Sequence, residues 1–362
     1  MNFVEGMIYQ ESGFIKGYLG FETGLVSEVN AGKTPQNGKL LAKGVVLPIL
    51  TNCHTHIGDA IAHGREFTGD ITELVAPPNG LKFRILRESN RNELIQAMRL
   101  GAIEMLNTGT GTFIDFREEG VLGVELLTQA IQSLPINPLI LGRPKTTKYS
   151  KDELDQLLEK VDGIGVSSML DWEYAELEKV AKVTKRLGKS FALHASERLH
   201  EDIDPILDLH PDFLVHMTYG TDYDFEKLSE LGIPVVLCLR SNIFFNNIPN
   251  IPKMLNKGVT LVLGSDNLML NTPNLFEELK AGFKLANRFG EVKPETLLNM
   301  ISLNLKKILN PKYYINLAPG SQSNFIVLDV PLTSPELSLM NGIEKNDIKL
   351  IVIGNNIWKY LK

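Results

Sequence analysis

The chain lacks most features that would place it outside a reducing aqueous compartment. Its 362 residues include only two cysteines, Cys53 and Cys238, too few for a disulfide framework. No apolar run approaches the ~20 residues that a membrane-spanning helix needs. The opening Met1-Asn2-Phe3-Val4-Glu5 offers neither a basic nor an apolar leader segment, so a cytoplasmic, reduced protein without membrane attachment is expected. A basic surplus is missing too. With 43 acidic against 37 basic residues the net charge is −6, which argues against a nucleic-acid partner. There is no internal repeat and no low-complexity tract. What is there, 43% hydrophobic and 22% charged residues, is the composition of an ordinary globular protein. At this length one core suffices only for a barrel carrying an attachment.

Short apolar runs alternate with helical patterns through the middle of the chain, which predicts repeated βα units and a parallel sheet. Eight runs are present. The first is Val45 to His56, followed by Thr112–Phe116, Pro138–Leu141, Gly163–Val166, Ser190–His194, Phe213–His216, Ile233–Cys238 and Thr260–Asp266. Apolar residues recur at helix spacing in Asn92–Asn107, Asp152–Lys160, Glu173–Leu187 and Asn274–Arg288. An α/β protein with a (β/α)8 TIM-type barrel is therefore expected over residues 45–317. Between Phe67 and Phe83 the pattern lapses into Gly, Pro and charged residues, as a loop capping the barrel mouth would. Strand-like pieces lie at both ends, Phe14–Leu19, Asn324–Val330 and Ile348–Ile353. Residues 1–44 and 318–362 are expected to pair into one small β domain.

On that frame the histidines are not scattered. His54 and His56 close the first strand on one face, His194 closes the fifth and His216 the sixth, while Asp266 closes the eighth. All five fall on the C-terminal rim, where barrel enzymes build their sites. Three imidazoles and a carboxylate suit a borderline-soft cation such as Zn²⁺ or Fe²⁺ with a position left open for water. Glu197, three residues beyond His194, sits beside such a site as a general acid/base.

These residues, with Leu47-Pro48, Asn52-Cys53-His54-Thr55-His56, His194-Ala195-Ser196-Glu197, Cys238-Leu239-Arg240-Ser241-Asn242 and Leu263-Gly264-Ser265-Asp266-Asn267, make the chain resemble the amidohydrolase superfamily. The branch is that of cytosine, guanine and adenosylhomocysteine deaminases and triazine hydrolases. The likeness spans almost the whole chain in the family's order. A late helix, Asn304 to Leu309, and the turn Ala318-Pro319-Gly320-Ser321-Gln322-Ser323-Asn324 also resemble the family's return to its β domain, with Ser323-Asn324 in place of the usual Ala-Asp. The resemblance implies that His54, His56, His194 and Asp266 hold one metal, that His216 positions the water or the tetrahedral intermediate, and that Glu197 shuttles the proton. Binuclear relatives bridge two metals from the fourth strand. Here that strand runs Gly165-Val166-Ser167-Ser168-Met169-Leu170 without a lysine or an acid, which implies a mononuclear site.

The resemblance also implies a homodimer and a small heterocyclic substrate, a purine, pyrimidine or relative that loses an amino group. Hydrolysis of a cyclic amide or a substituted triazine is the alternative within enzymes, and a catalytically silent binding barrel the alternative outside them. Four residues have two readings each. Arg240 and Asn242 contact substrate or hold local structure, Trp172 stacks on substrate or packs a helix start, and His63 reaches the pocket or faces water. Cys53 and Cys238 read as small core packers, and His200 and His210 as surface residues.

Overall fold

The computed structural model describes residues 1–36, 38–310 and 316–358. Residues 37, 311–315 and 359–362, which the expected domain ranges include, lie outside these. Strands β1 (Asn2–Gln10), β2 (Gly13–Glu22), β3 (Leu25–Ala31) and β4 (Lys39–Pro48) open the chain. Then come β5 (Leu50–His56), β6 (Thr110–Arg117), β7 (Asn137–Gly142), β8 (Gly163–Val166), β9 (Ser190–Ala195), β10 (Phe213–His216), β11 (Val235–Leu237), β12 (Leu261–Leu263) and β13 (Asp266–Asn267). The last three are β14 (Asn324–Leu328), β15 (Ile348–Ile353) and β16 (Asn356–Ile357).

Strands β5 to β12 pair in parallel in sequence order, and β13 pairs with β5. Since β12 and β13 are two pieces of one run, the sheet curls back on its first strand, as a (β/α)8 barrel requires. Two contacts draw that seam tight. Asn52 exchanges hydrogen bonds with Ser265, 2.7 Å to its hydroxyl and 3.0 Å from its backbone N–H. Gly264 passes so close to His54 that a Cβ would stand 2.7 Å from the His54 backbone nitrogen, so only glycine fits there. The interior is filled by inward-facing Cys53, Ile114, Phe116, Leu141, Phe213, Val236, Cys238 and Val262. Both cysteines are buried core packers, and burial pushes both thiols up in pKa, away from reactivity. The four expected helices lie at Arg91–Asn107, Lys151–Leu158, Tyr174–Arg186 and Leu275–Phe289.

The termini form a second sheet in the order β16-β15-β14-β4-β1-β2-β3. Its core gathers Val4, Ile8, Leu19, Phe21, Val46, Phe325 and Val327. The single strand expected from Val45 to His56 divides at Ile49. Val45–Pro48 pair with β14 in the terminal sheet, and the barrel begins at Leu50. A continuous apolar run carries no mark of the point where a chain leaves one sheet for another. The late helix expected from Asn304 is a 3-10 turn, Leu303–Lys307.

Candidate metal centre

The strand ends do bring the five rim residues together. His194 Nε2 lies 3.2 Å from His54 Nε2 and 3.4 Å from His56 Nε2, while Asp266 Oδ1 lies 3.4 Å from His54 Nε2 and 3.7 Å from His56 Nε2. Zn–N bonds of about 2.1 Å at near-tetrahedral angles would set donor atoms about 3.4 Å apart. The tautomers point the same way. His194 Nδ1 is 2.9 Å from the Val166 carbonyl and His56 Nδ1 is 3.2 Å from the Phe116 carbonyl, so each ring keeps its proton on Nδ1. Two bare Nε2 lone pairs then face one another at 3.4 Å, an arrangement that repels unless a cation lies between them. Burial lowers the pKa of all three rings, to about 3 for His56 with Lys82 adding to the shift, so they stand as neutral ligands. Burial would raise Asp266, but its contact with His54 and the fields of His216, His54 and His56 outweigh this and hold it well below the usual carboxylate range. The donor set thus fits a divalent metal.

Backbone strain marks the same place. His216 and Asp266 have φ of 76° and 61°, the left-handed region that costs a non-glycine residue on the order of 1–3 kcal/mol. Each is a strand-end residue turned inward against that cost.

His216 Nε2 lies 3.3 Å from Glu197 Oε1, and both border one cavity with an empty volume of about 450 Å³. Its other lining includes His56, His194, Asp266, Arg143, Ser167, Ser168, Asp171 and Arg198. Ile71, Val75, Ala76, Pro77 and Lys82 close one side, so the segment expected to cap the mouth does form a wall there. Burial raises the Glu197 pKa, a raise that the His216 field opposes and the Asp266 charge assists.

The four residues with two readings lie apart from that lining. Arg240 Nε meets Glu278 Oε1 at 2.6 Å, and its guanidinium also bonds Thr272. Glu278 is fully buried, so Arg240 is its counter-charge. Arg240→Ala is expected to cost about 3–5 kcal/mol of stability, because it strands a buried carboxylate. Thermal unfolding checks this, and an unchanged midpoint with a raised KM would return Arg240 to substrate binding. Asn242 Nδ2 bonds Thr218 and Asn247. Trp172 packs into the hydrophobic core. His63 Nδ1 is 2.9 Å from the Leu268 carbonyl and lines a separate outer groove.

Sequence reasoning passed over Glu118, whose Oε1 stands 2.7 Å from His56 Nδ1, and Lys82 and Asp59 behind it. Glu118 follows β6 directly, so the rule that found the histidines could have found it. Arg143 follows β7 in the same way.

A parallel barrel whose rim gathers three imidazoles, a carboxylate and a half-buried acid beside a cavity fits the class of hydrolases built on a divalent-metal centre. Residues 45–357 match the Amidohydrolase family, and the chain belongs to it, a hydrolase of carbon–nitrogen bonds from a metal-dependent family. It is 36% identical over 318 residues to an uncharacterised protein of Methanocaldococcus jannaschii, covering 81% of this chain and 80% of that one. It is 25% identical to a 5-methylthioadenosine/S-adenosylhomocysteine deaminase of Caldicellulosiruptor saccharolyticus over 340 residues, 81% and 76% of the two chains. The fold is similar to that of a zinc-bound adenosine deaminase from Xanthomonas campestris, with a TM-score of 0.81 at 16% identity over 98% of this chain and 92% of that one.

Proposed function

We propose that the protein is a mononuclear metal-dependent aminohydrolase that removes the amino group of an amino-substituted nitrogen heterocycle. The observation that carries this is the pair of half-buried Glu197 and buried His216, 3.3 Å apart, set in one cavity with the donor cluster. His54, His56, His194 and Asp266 would hold the ion, Zn²⁺ by their chemistry with Fe²⁺ the alternate. A divalent ion there supplies Lewis acidity, bringing the pKa of a water to roughly 7 in favourable sites.

The chain's own residues then divide the proton work. Asp266 is a carboxylate held ionised by its neighbours, so it accepts a proton as water adds to the ring carbon that bears the amine. Glu197, whose burial favours its protonated form, donates to the ring nitrogen, which keeps that proton in the product; as a carboxylate it then takes the proton of the added hydroxyl and passes it to the departing amine. Water's oxygen forms the new C–O bond, the C–N bond breaks as ammonia leaves, and the proton held on Asp266 returns Glu197 to its acid form. His216 Nε2, beside Glu197, is placed to donate to the oxygen as charge builds on it. The methylthioadenosine deaminase relative supports an aminopurine among the candidate rings.

Ammonia release from the Zn²⁺- or Fe²⁺-loaded protein, measured against aminopurines, aminopyrimidines, pterins, nucleosides and cyclic amides, tests the reading. Release from one ring class is the expected result. Turnover of a cyclic amide or triazine without ammonia would replace deamination with the alternative hydrolysis. No turnover with a full complement of metal would favour a binding barrel.

A further inference from the structure

A second cluster of metal-type donors stands behind the first. His56, Asp59 and Glu118 each offer a ligand atom within 4.8 Å of the others, and all three are buried. Glu118 Oε2 accepts from Arg117 at 2.6 Å and its Oε1 stands 2.7 Å from His56 Nδ1, while neither oxygen of Asp59 has a well-aligned hydrogen-bond donor, so the two carboxylates together call for a further cation. Lys82 is the cation that touches both. Its Nζ lies 3.0 Å from Asp59 Oδ2 and 2.8 Å from Glu118 Oε1, with the side chain 3% exposed. The neighbouring cations are already engaged. Arg117 spans Asp115 Oδ2 at 3.2 Å and Glu118 Oε2 at 2.6 Å, and Arg143 stands off at 3.8 Å from Glu118 Oε1.

We propose that the Lys82 ammonium is the built-in cation of this second cluster, filling a place behind the first site that a divalent ion would otherwise take. The idea rests on the reading of His54, His56, His194 and Asp266 as the first metal site. The chemistry favours an ammonium here. An ammonium neutralises one carboxylate charge and coordinates no imidazole lone pair, so it leaves the His56 Nδ1 proton to Glu118 Oε1 and the Phe116 carbonyl and Nε2 free for the first site. A divalent ion in the same place would compete for Nδ1 and pull the ring from its tautomer. Lys82 also fixes the cavity wall, because it opens the helix Leu81–Glu88 and itself lines the cavity. An outer cleft lined by Leu86, Met98 and Arg117 borders the cluster at Glu118.

The test is metal content after saturation with Zn²⁺ or Mn²⁺ and dialysis, read by elemental analysis for wild type, Lys82→Ala, Lys82→Arg and the double variant Asp59→Asn with Lys82→Ala. We expect one equivalent in wild type, Lys82→Arg and the double variant, and two in Lys82→Ala, the second bound more weakly. Added Zn²⁺ should also raise the unfolding midpoint of Lys82→Ala further than that of wild type. A folded Lys82→Ala that takes up no more metal than wild type overturns the proposal. So does a Lys82→Ala that fails to fold even with Zn²⁺ supplied while the double variant folds, since a divalent ion would then be no substitute for the ammonium. Wild type without tight metal would overturn the first site's reading instead, and the gain of one equivalent in Lys82→Ala over wild type would still be read separately.

Discussion

Glu197→Gln is expected to reduce kcat by 10²- to 10⁴-fold, the range of a lost general acid/base, while the metal content and the fold stay as they were. The amide keeps the side chain's size and can still meet His216, but it cannot give a proton to a leaving amine. KM should move little, since Glu197 works on the reacting nitrogen as the bond breaks. The stability sign separates this role from a structural one. Burial raises the Glu197 pKa in the folded protein, so the folded state binds that proton more tightly than the unfolded chain does. Stability from this group is then full below its unfolded pKa and declines as pH rises through the folded value. The glutamine carries no charge at any pH, so it should leave the unfolding midpoint equal or higher and remove this pH dependence. A variant that loses activity together with metal or melting temperature would show Glu197 holding the site together, and the shuttle assignment would fall.

The six residues of that centre were legible because each obeys one local rule. His54, His56, His194 and His216 lie at or near strand ends, Asp266 closes the eighth apolar run as the first residue of β13, and Glu197 follows a strand by two residues, so recognising eight apolar runs already placed them on one rim. Chain geometry did the rest, since parallel strands all aim their C-terminal ends the same way. The residues behind the centre follow no such rule. Lys82 opens a helix far along the connection between β5 and β6, and nothing local tells that its ammonium turns inward between Asp59 and Glu118. Its burial is a product of tertiary packing. Glu118 was within reach of the rim rule, but an acid next to Arg117 reads in sequence as a surface ion pair. Arg240 shows the converse. It sits after a rim strand among family-like residues, yet the partner that claims it, Glu278, lies in a helix 38 positions on. Where a side chain's partner is distant in sequence, its role was hidden.

Removing the metal is expected to destabilise the protein as well as silence it. Without an ion, the lone pairs of His56 and His194 face each other at 3.4 Å, with the buried Asp266 carboxylate beside them. These side chains are all buried, and His56, His194 and Asp266 meet solvent only through the cavity they line. A ligand that binds only the folded state stabilises it by about 4 kcal/mol when present at 1,000 times its Kd. Dialysis against a strong chelator should therefore lower the unfolding midpoint by on the order of 5–10 °C for a barrel of this size, and one equivalent of Zn²⁺ should restore it. His194→Ala should melt near the chelated wild type and gain nothing from Zn²⁺, because it removes the donor that both other imidazoles approach most closely. Part of the repulsion leaves with that ring, so the variant without metal should not fall below the chelated wild type, and the informative quantity is its lost response to zinc. A midpoint and turnover indifferent to the chelator would mean that the three imidazoles share protons rather than a metal, and the hydrolytic centre would have to be sought elsewhere on the rim.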